Sequence, residues 1–511
     1  MNSHHTDQTS NLPPTSGEEE LNHVMAARRE KLDRLNQLGV EPYPYAFARS
    51  HSVDQILTQF SQLESEGANL HLAGRIMSLR LMGKAAFAHI QDVDSRLQIY
   101  IKKDLVGERA WEVFRLLDIG DIIGVTGTLF ITHTGEQTLR VSELQLLAKN
   151  LRPLPAVKEK DGAVWYRWDD KEERYRNRSL DLIMNRDSRR IFMQRSQIVS
   201  EIRRFMSELS FIEVETPVLQ PLYGGAAARP FTTFYNSLNH DFYLRIADEL
   251  YLKRLITGGF PRVFEIAKDF RNEGLDRLHA PEFTMLECYA AYEDYSFCAS
   301  LIEDLLLRLA MAVNSKPQLN FNDDDIDVTP PFRRATMANL VREACGIEIV
   351  GRDRDDLARE ASAVGISIEK NWNVGRIIDE LVSEKVAPLL IQPTFMFDYP
   401  VELSPLAKRH RSQPGLVERF ELFIGGLEIA NAFSELNDPL DQRRRFEEQA
   451  KLRASGDEEA HPIDDNFIEA LELGMPPTSG MGVGIDRLVM LLTGAVSIRD
   501  VILFPALRPR E

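Results

Sequence analysis

The sequence predicts an α+β chain in which a small β-rich domain precedes a larger domain of long helices and apolar strands. Residues 69–150 break into short β-type runs punctuated by Gly and Asp. Residues 176–511 instead alternate amphipathic helical stretches with short apolar runs. Between them, residues 151–175 carry Pro153, Pro155 and a charged run, and read as a linker.

In chain order, residues 1–20 are rich in Ser, Thr, Pro, Asn and Glu and read as a disordered tail. Residues 21–68 form an N-terminal helical segment. There Leu21, Val24, Met25, Leu32, Leu35 and Leu38 recur at helical spacing before Gly39 stops the helix. The β-type runs fall at 70–77, 86–91, 97–101, 119–130 and 138–147, with a helical patch at 108–117. Three strands, a helix and two strands is the order of an OB barrel, and it also suits other small β-domains. Further on, 188–209 is a helix carrying Ile191, Ile198, Ile202, Phe205 and Leu209. Residues 263–266, 283–286 and 420–424 are strands, and 333–385 reads as a helical insertion.

No run approaches the ~18 apolar residues that cross a bilayer. The polar N-terminus is not a secretory signal, so a soluble protein with no membrane contact is expected. Cys288, Cys298 and Cys345 include no Cys-x-x-Cys, which argues against a disulfide framework or zinc site and for a cytoplasmic location. The net charge of −17 taken alone argues against nucleic-acid binding. The charge is uneven, however. Residues 69–150 hold 10 Lys/Arg against 9 Asp/Glu, whereas 420–475 hold 14 Asp/Glu against 5 Lys/Arg. The first domain can therefore carry a basic surface. The acidic segment is either a solvated face or a place for cations.

Three segments carry chemistry. A strand leads into Phe270-Arg271-Asn272-Glu273, a polar loop with Arg277 and His279 follows, and Phe283 to Tyr289 returns as a second strand. Side chains alternate on a strand, so Phe283, Met285, Glu287 and Tyr289 share one face. A carboxylate among aromatics needs a cation, either an internal Arg or a ligand. The second segment runs from Gly425 to Leu436, where Asn431, Phe433 and Glu435 share a face. Glu421 and Glu428 are hard oxygen ligands of the kind Mg²⁺ uses, unless they face solvent. The third is Gly480-Met481-Gly482-Val483-Gly484-Ile485-Asp486-Arg487, whose glycines permit close backbone approach. It is neither a dinucleotide fingerprint nor a P-loop, so any phosphates are held by Arg side chains.

In order and spacing these segments resemble class II aminoacyl-tRNA synthetases, and within them the bacterial lysine-specific branch. Phe211-Ile212-Glu213-Val214-Glu215-Thr216-Pro217 looks like motif 1, Phe270 to Glu287 like motif 2, and Gly482 to Arg487 like motif 3. Gly224-Gly225-Ala226, Leu250-Tyr251-Leu252-Lys253-Arg254 and Ser404-Pro405-Leu406-Ala407-Lys408 are similar to the lysine branch, and the likeness spans residues 20–508. The resemblance implies an OB-fold anticodon-binding domain and a catalytic domain built on a six-stranded antiparallel sheet flanked by helices. It implies a homodimer that uses ATP, L-lysine, Mg²⁺ and tRNA(Lys), forming lysyl-adenylate and then lysyl-tRNA.

The roles it implies fall on matching positions. Arg271 would hold the α-phosphate and the lysine carboxylate. Arg487 would hold the γ-phosphate and cover the adenine opposite Phe283, with Glu273 on the adenine edge and His279 on the terminal phosphates. Glu421 and Glu428 would carry Mg²⁺, and Glu421 would belong to the ATP site. Glu287, Glu435 and Tyr289 would take the ε-ammonium, Phe433 the butyl stem, Gly225 and Glu249 the α-ammonium, and Asn431 the carboxylate. Arg80, Phe87, Gln98 and Glu136 would read the anticodon, with Phe87 alternatively a barrel-core residue.

The chain departs from the family pattern in places. Asp248 replaces the usual Pro before Glu249 and adds a charge there, Ala227 replaces Ser, Ala280 replaces Asn, and Trp165-Tyr166-Arg167-Trp168 is unusual. Competing readings are an aspartyl- or asparaginyl-specific enzyme, a protein-lysylating paralogue, and a non-catalytic tRNA-binding paralogue. A pocket of Glu249, Glu287 and Glu435 suits a cation, the OB domain suits tRNA, and the intact arginines suit catalysis.

Overall fold

A computed structural model describes residues 16–155, 159–160, 163–164, 170–370, 372–454 and 462–510. The chain divides into two compact units, Met1–Asp169 and Asp170–Glu511.

The first unit opens with helix α1 (Ser16–Gln37). Residues 16–20, expected in the tail, are therefore helical, since the Glu18-Glu19-Glu20 run favours a helix start; residues 1–15 lie outside the described residues. Two short helices, α2 (Val53–Thr58) and α3 (Phe60–Ser65), precede the barrel. Strands β1 (Leu70–Met82), β2 (Ala85–Asp92), β3 (Ser95–Lys102), β4 (Ile122–Ile131) and β5 (Gln137–Ala148) close in the order β1-β2-β3-β5-β4, with helix α4 (Lys103–Arg115) after β3. This is the OB barrel expected. Ile76, Ala88, Ile90, Ile99, Ile123 and Val141 fill it, one from every second position. Buried Lys149 pairs with Asp118 at 2.6 Å and Asp121 at 2.8 Å, and Lys31 of α1 joins Asp118 at 2.5 Å. A cation left in the barrel wall is thereby neutralised, and α1 is tied down.

The second unit is built on an eight-stranded sheet. Its strands are β6 (Ile212–Glu213), β7 (Arg262–Phe270), β8 (Glu282–Ala291), β9 (Arg333–Thr336), β10 (Thr394–Pro400), β11 (Leu416–Ile424), β12 (Leu427–Ser434) and β13 (Thr478–Gly484). The order is β9-β10-β11-β12-β13-β8-β7-β6. The six central strands are antiparallel, as expected. Two short edge strands, β6 and β9, add to them in parallel. Residues 333–336, expected in the helical insertion, are thus part of this sheet, while helices Met337–Cys345, Arg354–Ala363 and Val374–Leu381 and the π-helical turn Val382–Val386 follow the expected pattern. Residues 171–175, expected in the linker, belong to helix Lys171–Arg176, which Asp170 caps by accepting from the Glu173 amide. Trp165 to Trp168 lie outside the described residues.

Helices α5 (Arg186–Glu208), α7 (Tyr295–Asn314) and α8 (Ile485–Thr493) bury Ile198, Ile202, Ile302, Leu305, Leu488 and Val489 in one core with the sheet. Helix α6 (Glu249–Thr257) contributes Leu252 and Ile256 to a smaller cluster with Phe446, Phe467 and Tyr289. Among the described residues no helix is long and apolar enough to cross a membrane.

Candidate active site

The sheet of the second unit carries a cavity of about 450 Å³. Gly225, Glu249, Arg271, Glu273, His279, Phe283, Glu287, Tyr289, Glu421, Glu428, Asn431, Phe433 and Arg487 all line it. Glu435 stands just behind, its side chain fully buried. Residues separated by up to 262 positions thus meet because β8, β11, β12 and β13 are neighbours in the sheet.

Two arginines mark the accessible side. Arg487, in the first turn of α8, donates to the Glu428 carbonyl at 3.0 Å and to its carboxylate at 3.2 Å, and stands 3.2 Å from His279 Nε2. The preceding residue fixes it. Asp486 accepts from the Thr284 amide at 2.7 Å and pairs with Arg195 of α5 at 2.6 Å, so α5, β8 and α8 share one carboxylate. Arg271 follows β7 and donates through Nε to the Ile246 carbonyl at 3.4 Å, with its guanidinium 5.0 Å from the centre of the Phe283 ring. Glu273 is exposed.

Glu421 and Glu428 are brought together by a β-bulge between Leu422 and Phe423, which pairs Phe423 with Glu428. Burial pushes the Glu421 carboxyl up to about 7 against the pull of Arg419, and Glu428 adds to the rise. Two neighbouring carboxylates that repel each other in this way fit a hard divalent ion. Among the described residues no group of three or more His, Cys, Asp and Glu stands ready for a metal. Such an ion would therefore draw its remaining ligands from water or phosphate, as Mg²⁺ commonly does. Arg419 was not anticipated from sequence. It pairs with Glu421, donates to Asn431 Oδ1 at 3.0 Å, and holds the Leu403 carbonyl and Ser404 hydroxyl at 3.0 and 2.9 Å.

The buried side is acidic. Glu287 receives a hydrogen bond from the Tyr289 hydroxyl at 3.1 Å, and no arginine pairs with it among the described residues. Burial, reinforced by Glu249, pushes it up to about 8. Gly480 and Gly482 of β13 make room for this group. A Cβ at Gly480 would lie 2.2 Å from Glu435 Oε1 and 2.3 Å from Tyr289 Cε1, and one at Gly482 would lie 2.4 Å from Glu287 Oε1. Gly225 has φ +89°, and a Cβ there would lie 3.0 Å from Ala247 Cβ. Lys253 of α6, also not anticipated, pairs with both Glu249 and Glu435. Asp248 was expected to add a charge beside Glu249. It is fully buried with both carboxylate oxygens lacking a hydrogen-bond partner, and burial, then Glu287 and Asp269, push it well above the ordinary range. Burial thus opposes the extra charge that its sequence position suggested.

On the barrel, Phe87 is half-buried on the outer face, between Ala86 and Ala88, which point inward. It is not a core residue. Tyr100 lies across from it with ring centroids 5.0 Å apart, Phe130 lies 6.1 Å beyond Tyr100, and Arg140 sits 4.7 Å over Phe130. Arg80 is exposed and in register with Phe87, and exposed Glu136 accepts from or pairs with His89 at 2.9 Å. Gln98 is buried, and its amide is engaged with the Thr138 hydroxyl at 2.8 Å.

The fold and site have counterparts among known proteins. Residues 170–508 match the family of tRNA synthetases class II (D, K and N), and residues 70–154 match the OB-fold nucleic acid binding domain. A lysine–tRNA ligase of Chloroflexus aurantiacus is 51% identical over 495 residues, covering 96% of this chain and 99% of that protein. One from Carboxydothermus hydrogenoformans is 50% identical with the same coverage, and one from Pelotomaculum thermopropionicum is 49% identical over 99% of both chains. Identity at this level over nearly the full length of both partners shows that the chain belongs to the lysine–tRNA ligase family of class II tRNA synthetases.

Proposed function

We propose that this enzyme activates L-lysine with ATP and transfers it to the 3′ end of tRNA(Lys), acting as a homodimer in the cytoplasm. One observation carries the substrate: three carboxylates, Glu249, Glu287 and Glu435, gather at the buried side of a cavity whose accessible side holds Arg271 and Arg487. An amino acid with a cationic tail fits that polarity, and an anionic one does not. Glu287, Glu435 and Tyr289 take the ε-ammonium, Phe433 packs the stem, Glu249 and the Gly225 carbonyl take the α-ammonium, and Asn431 steadies the carboxylate.

The lysine carboxylate attacks the α-phosphorus in line, and pyrophosphate leaves. Arg271 neutralises charge on both the carboxylate and the α-phosphate. Arg487 and His279 hold the departing phosphates, and Phe283 and Glu273 hold the adenine. Glu421 and Glu428 would hold Mg²⁺, which would supply charge neutralisation to the phosphates when bound. No side-chain nucleophile takes part, so rate enhancement comes from positioning and electrostatics. The aromatic run Phe87, Tyr100 and Phe130 with Arg80 and Arg140 suits stacking of unpaired anticodon bases. ATP–pyrophosphate exchange with each standard amino acid tests the reading. Exchange with lysine is expected; exchange only with aspartate or asparagine, or with none, overturns it.

A further inference from the structure

Glu249 and Glu435 already meet a cation of the protein itself. Lys253 lies one helical turn beyond Glu249, and its side chain is 1% exposed. Its ammonium pairs with Glu249 and Glu435 at once. Its other close neighbours are rings, with Phe433 5.2 Å and Phe467 6.0 Å from the ammonium. Lys253 does not line the cavity, whereas Glu249 and Phe433 do. Glu435 Oε2 faces the Lys253 ammonium, whereas Oε1 has no hydrogen-bond partner among the described residues. Three carboxylates therefore share one resident cation.

We propose that Lys253 is a positioning residue that sets the charge of the amino-acid pocket. It ties the acceptor of the α-ammonium, Glu249, to an acceptor of the ε-ammonium, Glu435. It also leaves the three carboxylates two positive charges short, the number that a dibasic amino acid brings on its two ammonium groups. The inference rests on the lysine reading above.

The surrounding groups leave that count in place. On β7, Glu265 and Asp269 share Arg245 at 2.7 and 3.3 Å, and Arg271 is the second cation acting on Asp269. Burial, then Glu287 and Asp269, push Asp248, just before α6, well above the ordinary carboxylate range. Tyr289 on β8 is held neutral by burial and by Glu287. Arg271 faces the cavity from the end of β7 and serves the substrate carboxylate. Without substrate, burial drives protons onto Glu287 and Glu435, and Lys253 is the main pull in the opposite direction on Glu435. Burial also opposes the charge on Lys253, yet Glu249 and Glu435 outweigh it and hold the ammonium above its ordinary range. An amino acid with one ammonium group leaves a buried carboxylate unbalanced and is rejected.

Lys253→Met tests this by removing the charge while keeping an unbranched side chain of similar length. The readouts are the KM values for lysine and ATP in pyrophosphate exchange, and the protons released on lysine binding, from calorimetry in buffers of different ionisation enthalpy. Lysine KM should rise on the order of a hundredfold while ATP KM changes by less than about threefold. The variant should release the same number of protons per lysine as wild type, because the carboxyl that Lys253 balanced keeps its proton both with and without lysine. A changed proton count overturns the inference, as does an equal loss for both substrates. If Lys253→Met does not fold, Lys253→Met/Glu435→Gln removes one charge of each sign. Recovery of a folded protein in that pair supports the inference, and failure of both overturns it. A wild type that exchanges with a monocationic amino acid instead of lysine sinks the substrate reading and the count of two with it. A wild type that uses lysine, matched by Lys253→Met, sinks the inference alone.

Discussion

Gly482→Ala should move the lysine site without unfolding the protein. Gly482 on β13 is in register with Glu287 on β8. An added Cβ would sit 2.4 Å from Glu287 Oε1, 3.1 Å from its Cδ and 3.2 Å from Met285 Cε. Ordinary non-bonded contact is roughly 3.5 Å, so the carboxyl group must retreat by about 1 Å. It ends a flexible side chain, so it can swing away while the strand ladder stays intact. A displacement of about 1 Å at a positioned group costs on the order of a hundredfold in rate. Lysine-dependent pyrophosphate exchange should therefore lose about that factor in kcat/KM for lysine, with ATP KM and the thermal midpoint close to wild type. A lysine kcat/KM within about twofold of wild type would refute the placement of Glu287 against the substrate.

Lysine binding should tighten as pH rises from 6 toward 8 and then level off, because the Glu287 carboxyl, pushed up to about 8 in the empty pocket, must lose its proton to solvent before it can pair with the ammonium. The sign for stability is opposite: between 4.5 and about 8 the folded empty protein keeps a proton that the unfolded chain has lost, so its stability falls across that window. Calorimetric titration at several pH values checks the first, thermal melts with and without lysine the second, and Glu287→Gln should flatten both profiles. Phe87→Ala should raise the tRNA KM by roughly tenfold to a hundredfold in aminoacylation and leave pyrophosphate exchange unchanged, since stacking one base is worth about 1–3 kcal/mol; a parallel loss in both assays contradicts a stacking role. Asp486→Ala leaves the buried Thr284 amide without its acceptor and half-buried Arg195 without its ion-pair partner, and should cost roughly 2 kcal/mol in denaturant unfolding, with lost activity following the loss of Arg487 placement.

Period-two alternation was enough to read which residues share a face. It put Phe283, Met285, Glu287 and Tyr289 together, and all four line the cavity. The barrel was only half legible from pattern: β1 to β3 alternate in and out, but β4 and much of β5 do not, and the element order alone also suited other small β-domains until the family resemblance decided it. Lys253 was not legible. It lies in an ordinary amphipathic helix, and its partner Glu435 is 182 positions away, a pairing that only the packing of α6 against β8 and β7 creates. Arg419 was hidden similarly, by a strand whose alternation explains any polar residue. The glycines of β13 announced close approach, but not that side chains of β8 and the end of β12 were what approached. The edge strand β9 was missed because four residues with two arginines carry too little apolar pattern to separate from the helices after them.

The bare face of β13 also makes the pocket a ruler. With no side chain of its own at Gly480 or Gly482, that strand cannot be retuned in small steps. With lysine placed as proposed, substrate length would be measured between Glu249 at one end and Glu287 with Glu435 at the other, and Lys253 would pin the span. A diamino acid one methylene shorter than lysine would satisfy the charges but stop short of one end. Discrimination by a single methylene is worth only about 1–3 kcal/mol, roughly 10–200-fold. Shorter homologues such as ornithine are therefore the natural misreadings of this pocket, far more than neutral amino acids of lysine's own length.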